Sequence, residues 1–175
     1  MMRRTGTYAV LALLVLCLLV IPKRRREPAP PPRDQHSSNM IRVADPRATT
    51  RLVKGFYETD NPYWRWTARE CSIILNPPKG AAQNGAALVL RYAIVEGVLE
   101  SLKTMDLSIA VDGVALPRQH YNKPGQFTLR LEVPAEALRF DTVRVDFMLD
   151  KALPPAGREV RELGIIVSEV GFEAR

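Results

Sequence analysis

The chain has 175 residues, 46% hydrophobic and 25% charged, with 14 Pro, 10 Gly and two Cys. This length predicts one folded domain with appendages, and the composition excludes a disordered, collagen-like or disulfide-stapled chain. The formal charge of +6 is the balance of a nucleic-acid binder, but its position excludes that partner. Residues 1–50 carry nine Lys/Arg against three acids, whereas residues 51–175 carry sixteen of each and sum to zero. A neutral domain lacks the electrostatic footprint that nucleic-acid affinity needs.

The first element in chain order is an apolar stretch over residues 8–21, flanked by Arg3 and Arg4 on one side and Lys23, Arg24, Arg25 and Arg26 on the other. The uncharged span, residues 5–22, is eighteen residues, roughly 27 Å as a helix and enough for a thin bilayer core. A cleaved signal peptide is the alternative. Cleavage needs small residues, and Ile21-Pro22 runs straight into the cationic block, so residues 1–26 are expected to be an uncleaved membrane anchor. Cys17, between bulky Leu16 and Leu18, does not suit lipid attachment. The larger basic block lies downstream, which by the positive-inside rule favours the cytoplasmic side for the rest of the chain. A single-pass protein of the bacterial inner membrane is the expected setting. Residues 27–50 read as a flexible linker: Pro28-Ala29-Pro30-Pro31-Pro32 is a stiff polyproline piece, and the polar run that follows has no periodicity.

Residues 51–175 are expected to form an all-β domain, an antiparallel jelly-roll-like β-sandwich. Phe127, Leu129, Leu131 and Val133 alternate with polar neighbours, as do Val143, Val145, Phe147 and Leu149, and Leu107, Ile109 and Val111. That period of two marks strands with one buried and one solvated face. Residues 71–75, 88–94 and 164–172 add further strands. Asp112-Gly113 predicts a two-residue hairpin, and Pro124-Gly125 a turn. Val95, Val98, Leu99 and Leu102 fit a short helix, and residues 134–138 one helical turn begun by proline. Many short strands without βα alternation favour a sandwich.

The motifs of catalysis are missing. There is no CxxC, no HExxH and no His/Cys cluster, so neither a metal nor another cofactor is expected. Gly80-Ala-Ala-Gln-Asn-Gly85 has the glycine spacing of a phosphate loop but continues Ala86-Ala87 where Lys-Ser/Thr is required; it reads as a flexible loop. His120 has no flanking motif for a nucleophilic centre. Cys71 has only Cys17, in the anchor, as a partner, so no internal disulfide is expected. Glu58 with Asp60 and Glu159 with Glu162 are carboxylate pairs in sequence only. No catalytic residue is assigned.

One segment concentrates aromatics. Phe56, Tyr57, Tyr63, Trp64 and Trp66 lie within thirteen residues and include both tryptophans. On a strand Trp64 and Trp66 share a face, with Arg65 on the other. Aromatic faces stack on the C–H faces of sugars, and Glu58 and Arg65 can bond hydroxyls, which suits a carbohydrate site. Core packing is the alternative role for the same rings. The order Gly55-Phe56-Tyr57, Tyr63-Trp64-Arg65-Trp66-Thr67, Val111-Asp112-Gly113-Val114, Val143-Arg144-Val145-Asp146-Phe147 and Arg161-Glu162-Leu163-Gly164 resembles a bacterial membrane-anchored β-sandwich family without an assigned activity. That family is similar to galactose-binding-like, carbohydrate-binding jelly rolls, and related modules occur attached to glycosyltransferases and envelope polysaccharide proteins. The resemblance covers residues 52–173 and implies Tyr57, Glu58, Arg65, Trp66, Arg161 and Gly164 as family positions. Arg161-Glu162 has the alternative role of a polar lock. The candidate ligand-binding set is therefore Tyr57, Glu58, Tyr63, Trp64, Arg65, Trp66 and Arg161. The expected function is non-catalytic binding of carbohydrate or an envelope glycan by a membrane-tethered sandwich. A protein-interaction module of a membrane complex is the alternative.

Overall fold

A computed structural model describes residues 39–58 and 61–175. The expected anchor, and the expected linker up to residue 38, lie outside the described residues. Among the described residues, no helix is long and apolar enough to cross a membrane.

Ten strands carry the domain: β1 (Ile41–Arg42), β2 (Leu52–Phe56), β3 (Arg65–Leu75), β4 (Ala86–Ile94), β5 (Met105–Val111), β6 (Val114–Ala115), β7 (Gln119–Tyr121), β8 (Gly125–Val133), β9 (Val143–Leu149) and β10 (Ile166–Ala174). Two short helices, α1 (Ala81–Asn84) and α2 (Glu96–Leu102), and 3-10 turns at Pro46–Arg51 and Ala135–Leu138 complete it. The strands form one antiparallel network of order β6-β5-β9-β3-β10-β4-β8. Strand β3 joins its two halves. Arg65 and Trp66 pair with β10, while Glu70 to Leu75 pair with β9. The network thus divides into one layer, β1-β10-β4-β8, and another, β3-β9-β5-β7, with β2 beside β3. Along β3, β4 and β5, and again along β7, β8, β9 and β10, the chain alternates between the two layers.

The alternation read from the sequence is the alternation of burial. Strand β5 reads buried at Met105, Leu107, Ile109 and Val111, and β9 at Val143, Val145, Phe147 and Leu149. These meet Leu88, Leu90, Tyr92 and Phe172 of the other layer in a single core. The Asp112-Gly113 turn pairs Val111 with Val114, and both turn residues have positive φ, +47° and +83°, the geometry that favours this dipeptide. Among the described residues, no buried side-chain polar atom lacks a partner.

Three expectations need revision. Residues 39–50 are not linker: Ile41 and Arg42 pair with β10, Val43 is fully buried, and Asp45 caps the 3-10 turn through the Arg47 amide. Val43 in the core and Ile41 packed against it anchor the segment. Strand β3 begins at Arg65, six residues before the apolar run at Cys71, because its first part is an outer-layer strand held by β10. The Gly80–Gly85 loop contains helix α1, whose flanking glycines take φ of +82° and +73°.

Candidate functional site

The aromatic segment sits where β3 enters the β10-β4-β8 layer. The Tyr57 amide donates to the Trp66 carbonyl, and the Thr67 amide to that of Ile165. Before Trp64, the Asn61 side chain accepts from the Tyr63 amide at 2.9 Å, a local turn bond of the Asx type. Trp64, immediately before β3, meets Trp66 on one side of the chain, with ring centroids 6.4 Å apart and planes at 88°. Trp66 is half-buried and packs on the core. Trp64 lines a trough of about 490 Å³ on the outer face of the layer.

Strand register assembles this trough. Trp66 is level with Ile166, Ile166 with Ala93, and Ala93 with Gln126. The next row sets Arg91 opposite Thr128. A bulge between Val167 and Glu169 in β10 leaves Ser168 unpaired by any ladder partner, and its hydroxyl donates to the Arg91 carbonyl at 3.1 Å. Trp64, Ala93 and Ile166 give the trough an apolar floor; Arg91, Gln126, Thr128 and Ser168 give it a polar rim. Tyr92 and Phe127, whose side chains turn inward by alternation, complete the lining. The Arg91 guanidinium is exposed and held by Glu169 at 2.7 Å.

The expected site residues divide into four groups. Trp64 and Trp66 meet on the outer face. Arg65 points the opposite way and is buried, its Nε donating to the Val43 carbonyl at 2.7 Å and its Nη1 to that of Tyr57 at 3.2 Å. Its Nε and Nη1 tie β3 to the incoming chain, and it does not line the trough, contrary to its expected role as a ligand contact. Tyr57 and Arg161 come together, with the guanidinium carbon 5.4 Å from the ring centroid. Arg161 is also held bidentately by Glu159 at 2.8 and 2.7 Å, and these bonds hold the Glu159 carboxyl down at about 2. Glu58 and Tyr63 are exposed in the loop, and Asp60 lies outside the described residues.

Arg161 and Glu162, the alternative buried polar lock, bond different partners: Arg161 holds Glu159, and Glu162 makes an exposed bond. Glu162 accepts the Arg69 amide at 3.0 Å, and the Gly164 amide donates to the Thr67 carbonyl at 2.7 Å. The rim residues Arg91, Gln126, Thr128 and Ser168 were missed. Each is an ordinary polar residue on a strand's outer face, and only long-range register brings them beside Trp64.

Other features supply no chemistry of their own. Among the described residues, no group of three His, Cys, Asp or Glu is placed to hold a metal ion. Cys71 is buried, which pushes its thiol up to about 12. Asp106 lies 2.5 Å from His120 Nδ1 and 2.9 Å from Arg118; the hydrogen bond with His120 is the main reason its carboxyl is held below the usual range. A second depression, of about 590 Å³, is lined by Arg42, Asp45, Arg47, Arg51 and Asn76 among others. Its cations are engaged, Arg47 with Asp45, Arg51 with Asn76, and Arg42 with Glu169.

No protein-family model matches the chain, and no curated protein matches it. Among solved structures it is similar to a family 35 carbohydrate-binding module from Clostridium thermocellum, with 12% identity and a TM-score of 0.43 over 78% of this chain and 98% of that one. It is also similar to the CBM36-1 domain of a multidomain xylanase from the hindgut metagenome of Trinervitermes trinervoides, with 8% identity and a TM-score of 0.39 over 78% of this chain and 96% of that one. An acetyl xylan esterase from the rumen bacterium Butyrivibrio proteoclasticus is similar at 9% identity and a TM-score of 0.43, over 78% of this chain but 32% of the esterase. Likeness this distant leaves the ligand to be argued from the trough itself.

Proposed function

We propose that the chain is a non-catalytic, membrane-tethered β-sandwich that binds carbohydrate, an envelope glycan, in the Trp64 trough. The observation that carries this reading is the composition of the trough: an indole and two aliphatic side chains as floor, with amide, hydroxyl and guanidinium groups at the rim. A pyranose ring presents the matching pattern, apolar C–H faces with hydroxyls around the perimeter. Sites for small polar ligands are built in this way, mostly apolar with a few placed polar groups. Ala93 and Ile166 are strand-borne, and Trp66 buttresses Trp64 edge-on, so little ordering is needed on binding. The anchor over residues 1–26 would hold the trough near the membrane.

A glycan microarray followed by calorimetric titration of the full chain tests this reading. Binding to a defined class of saccharide, weakened about tenfold in Trp64→Ala and less in Gln126→Ala, is the expected result. Absence of any saccharide response, with a stable protein partner co-purifying instead, would establish the protein-interaction alternative.

A further inference from the structure

The β1-β10-β4-β8 layer ends at β8. This strand pairs with β4 over all nine residues, from Ala86 opposite Val133 to Ile94 opposite Gly125, without a bulge. Among the described residues, no strand pairs with its other edge. Such an edge is usually short, bulged, or interrupted by proline or an inward charge, because unpaired amides and carbonyls recruit other strands. Strand β8 has no bulge, proline or inward charge within Gly125–Val133, and its two charges, Arg130 and Glu132, are on the outer face and bond each other. Its inward side chains are also incompletely covered. Phe127, Leu129 and Leu131 are only partly buried, while their β4 neighbours Tyr92, Leu90 and Leu88 are 1–4% exposed.

We propose that β8 is a homodimer interface at which two copies of this chain join antiparallel, β8 to β8, about a two-fold axis through Leu129. Charge and face select this register. Antiparallel partners must share a face, so the pairing can centre on 129, 130 or 131 but not between residues. Centring on 130 sets Arg130 against itself, and like charges directly opposite are destabilising. Centring on 131 carries the pairing past Val133 to Pro134 and leaves Phe127 without a strand partner. Centring on 129 uses all nine residues. It sets Leu129 against Leu129, Phe127 against Leu131, Arg130 against Thr128, and Glu132 against Gln126. Each half-covered apolar side chain thereby gains an apolar neighbour. No charge meets its like, and the existing Arg130–Glu132 bond at 2.7 Å is kept.

A two-fold axis normal to the sheet turns the same face of both copies the same way. The two Trp64 troughs then open on one side of a continuous sheet, and a polymeric ligand can engage both. The dimer itself does not depend on the trough binding carbohydrate. Its test therefore uses no ligand.

The full chain, purified in detergent, is sized by sedimentation as wild type and as Leu129→Lys, which places like charges opposite each other. In a Cys17→Ser background, single cysteines at Thr128, Leu129 and Leu131 are oxidised mildly; buried Cys71 is a poor competitor. A dimer in the wild type, a monomer in Leu129→Lys, and several-fold more cross-linking at 129 than at 128 or 131 are the expected results. A monomeric wild type with no preferred cross-link, or a dimer that persists in Leu129→Lys, would overturn the proposal, as would a foreign strand found on β8 in place of a second copy. If Leu129→Lys misfolds, the cross-linking pattern decides alone.

Discussion

Replacing Arg65 separates a structural clamp from a ligand contact more sharply than any other substitution in the aromatic segment. Its Nε bonds the carbonyl of fully buried Val43 at 2.7 Å, and its Nη1 bonds that of Tyr57 at 3.2 Å. Hydrogen bonds to charged groups contribute about 1.5–3 kcal/mol, and a buried acceptor left without a donor costs about 1–3 kcal/mol. The Val43 bond is short and shielded, whereas the Tyr57 bond is longer and half-exposed, so the first dominates. Arg65→Leu is expected to cost about 3 kcal/mol in total. In a chain of this size that lowers the midpoint of thermal unfolding by roughly 6–12 °C. Arg65→Lys, whose single ammonium can hold one carbonyl but not both, is expected to cost about half as much. Thermal melts followed by circular dichroism measure both, and saccharide titration below the midpoint is expected to be unchanged. An unaltered midpoint with abolished binding would refute the clamp and return Arg65 to the ligand site.

Trp64→Ala and Trp66→Ala should part in the opposite sense. Covering about 60 Å² of the Trp64 indole with a sugar face is worth about 1.5 kcal/mol, roughly tenfold in affinity, so Trp64→Ala should weaken binding with little change in melting. Trp66→Ala should lower both stability and affinity, because Trp66 packs on the core and supports Trp64. Gly164→Ala should lower the urea midpoint at unchanged slope, by about 1–3 kcal/mol, since an added methyl would lie 2.7 Å from Leu149 Cδ1 and 2.8 Å from the Ala68 carbonyl. Alkaline pH should destabilise the fold. The Cys71 thiol rises from 9.0 to about 12 on burial, so above pH 9 the unfolded chain sheds a proton that the folded chain keeps. Stability from this group is complete below pH 9 and falls by up to about 1.4 kcal/mol per pH unit toward pH 12. Urea titrations across that range should show a shallower fall in Cys71→Ala, and an identical fall would contradict the assignment.

The strands that follow a strict period of two were legible, because one face of each is buried and the other wet. Strands β5, β8 and β9 and the Asp112-Gly113 turn are of this kind. The start of β3 was not legible. Arg65 and Thr67 are polar residues buried by specific partners, and partner satisfaction cannot be read from hydropathy. Val43 shows the same gap from the other side: the mostly apolar run from Met40 to Val43 is too short to read as a strand, and its burial depends on β10, more than a hundred positions away. In the site, sequence spacing gave the shared face of Trp64 and Trp66, since that is local geometry. It assigned Arg65 to a ligand because an arginine between aromatics reads alike whether it faces solvent or a carbonyl. The polar rim at Arg91, Gln126, Thr128 and Ser168 required the register of three strands, which local pattern does not encode.

The most direct test of the carbohydrate site is a saccharide titration followed residue by residue in ¹H–¹⁵N NMR spectra of the full chain. The trough predicts concerted shifts at the amides of Ala93, Thr128 and Ile166 and at the Trp64 indole N–H, with the three amide shifts needing about tenfold more saccharide in Trp64→Ala. Shifts confined to the loop around Glu58 and Tyr63, or to Tyr57 and Arg161, would contradict it.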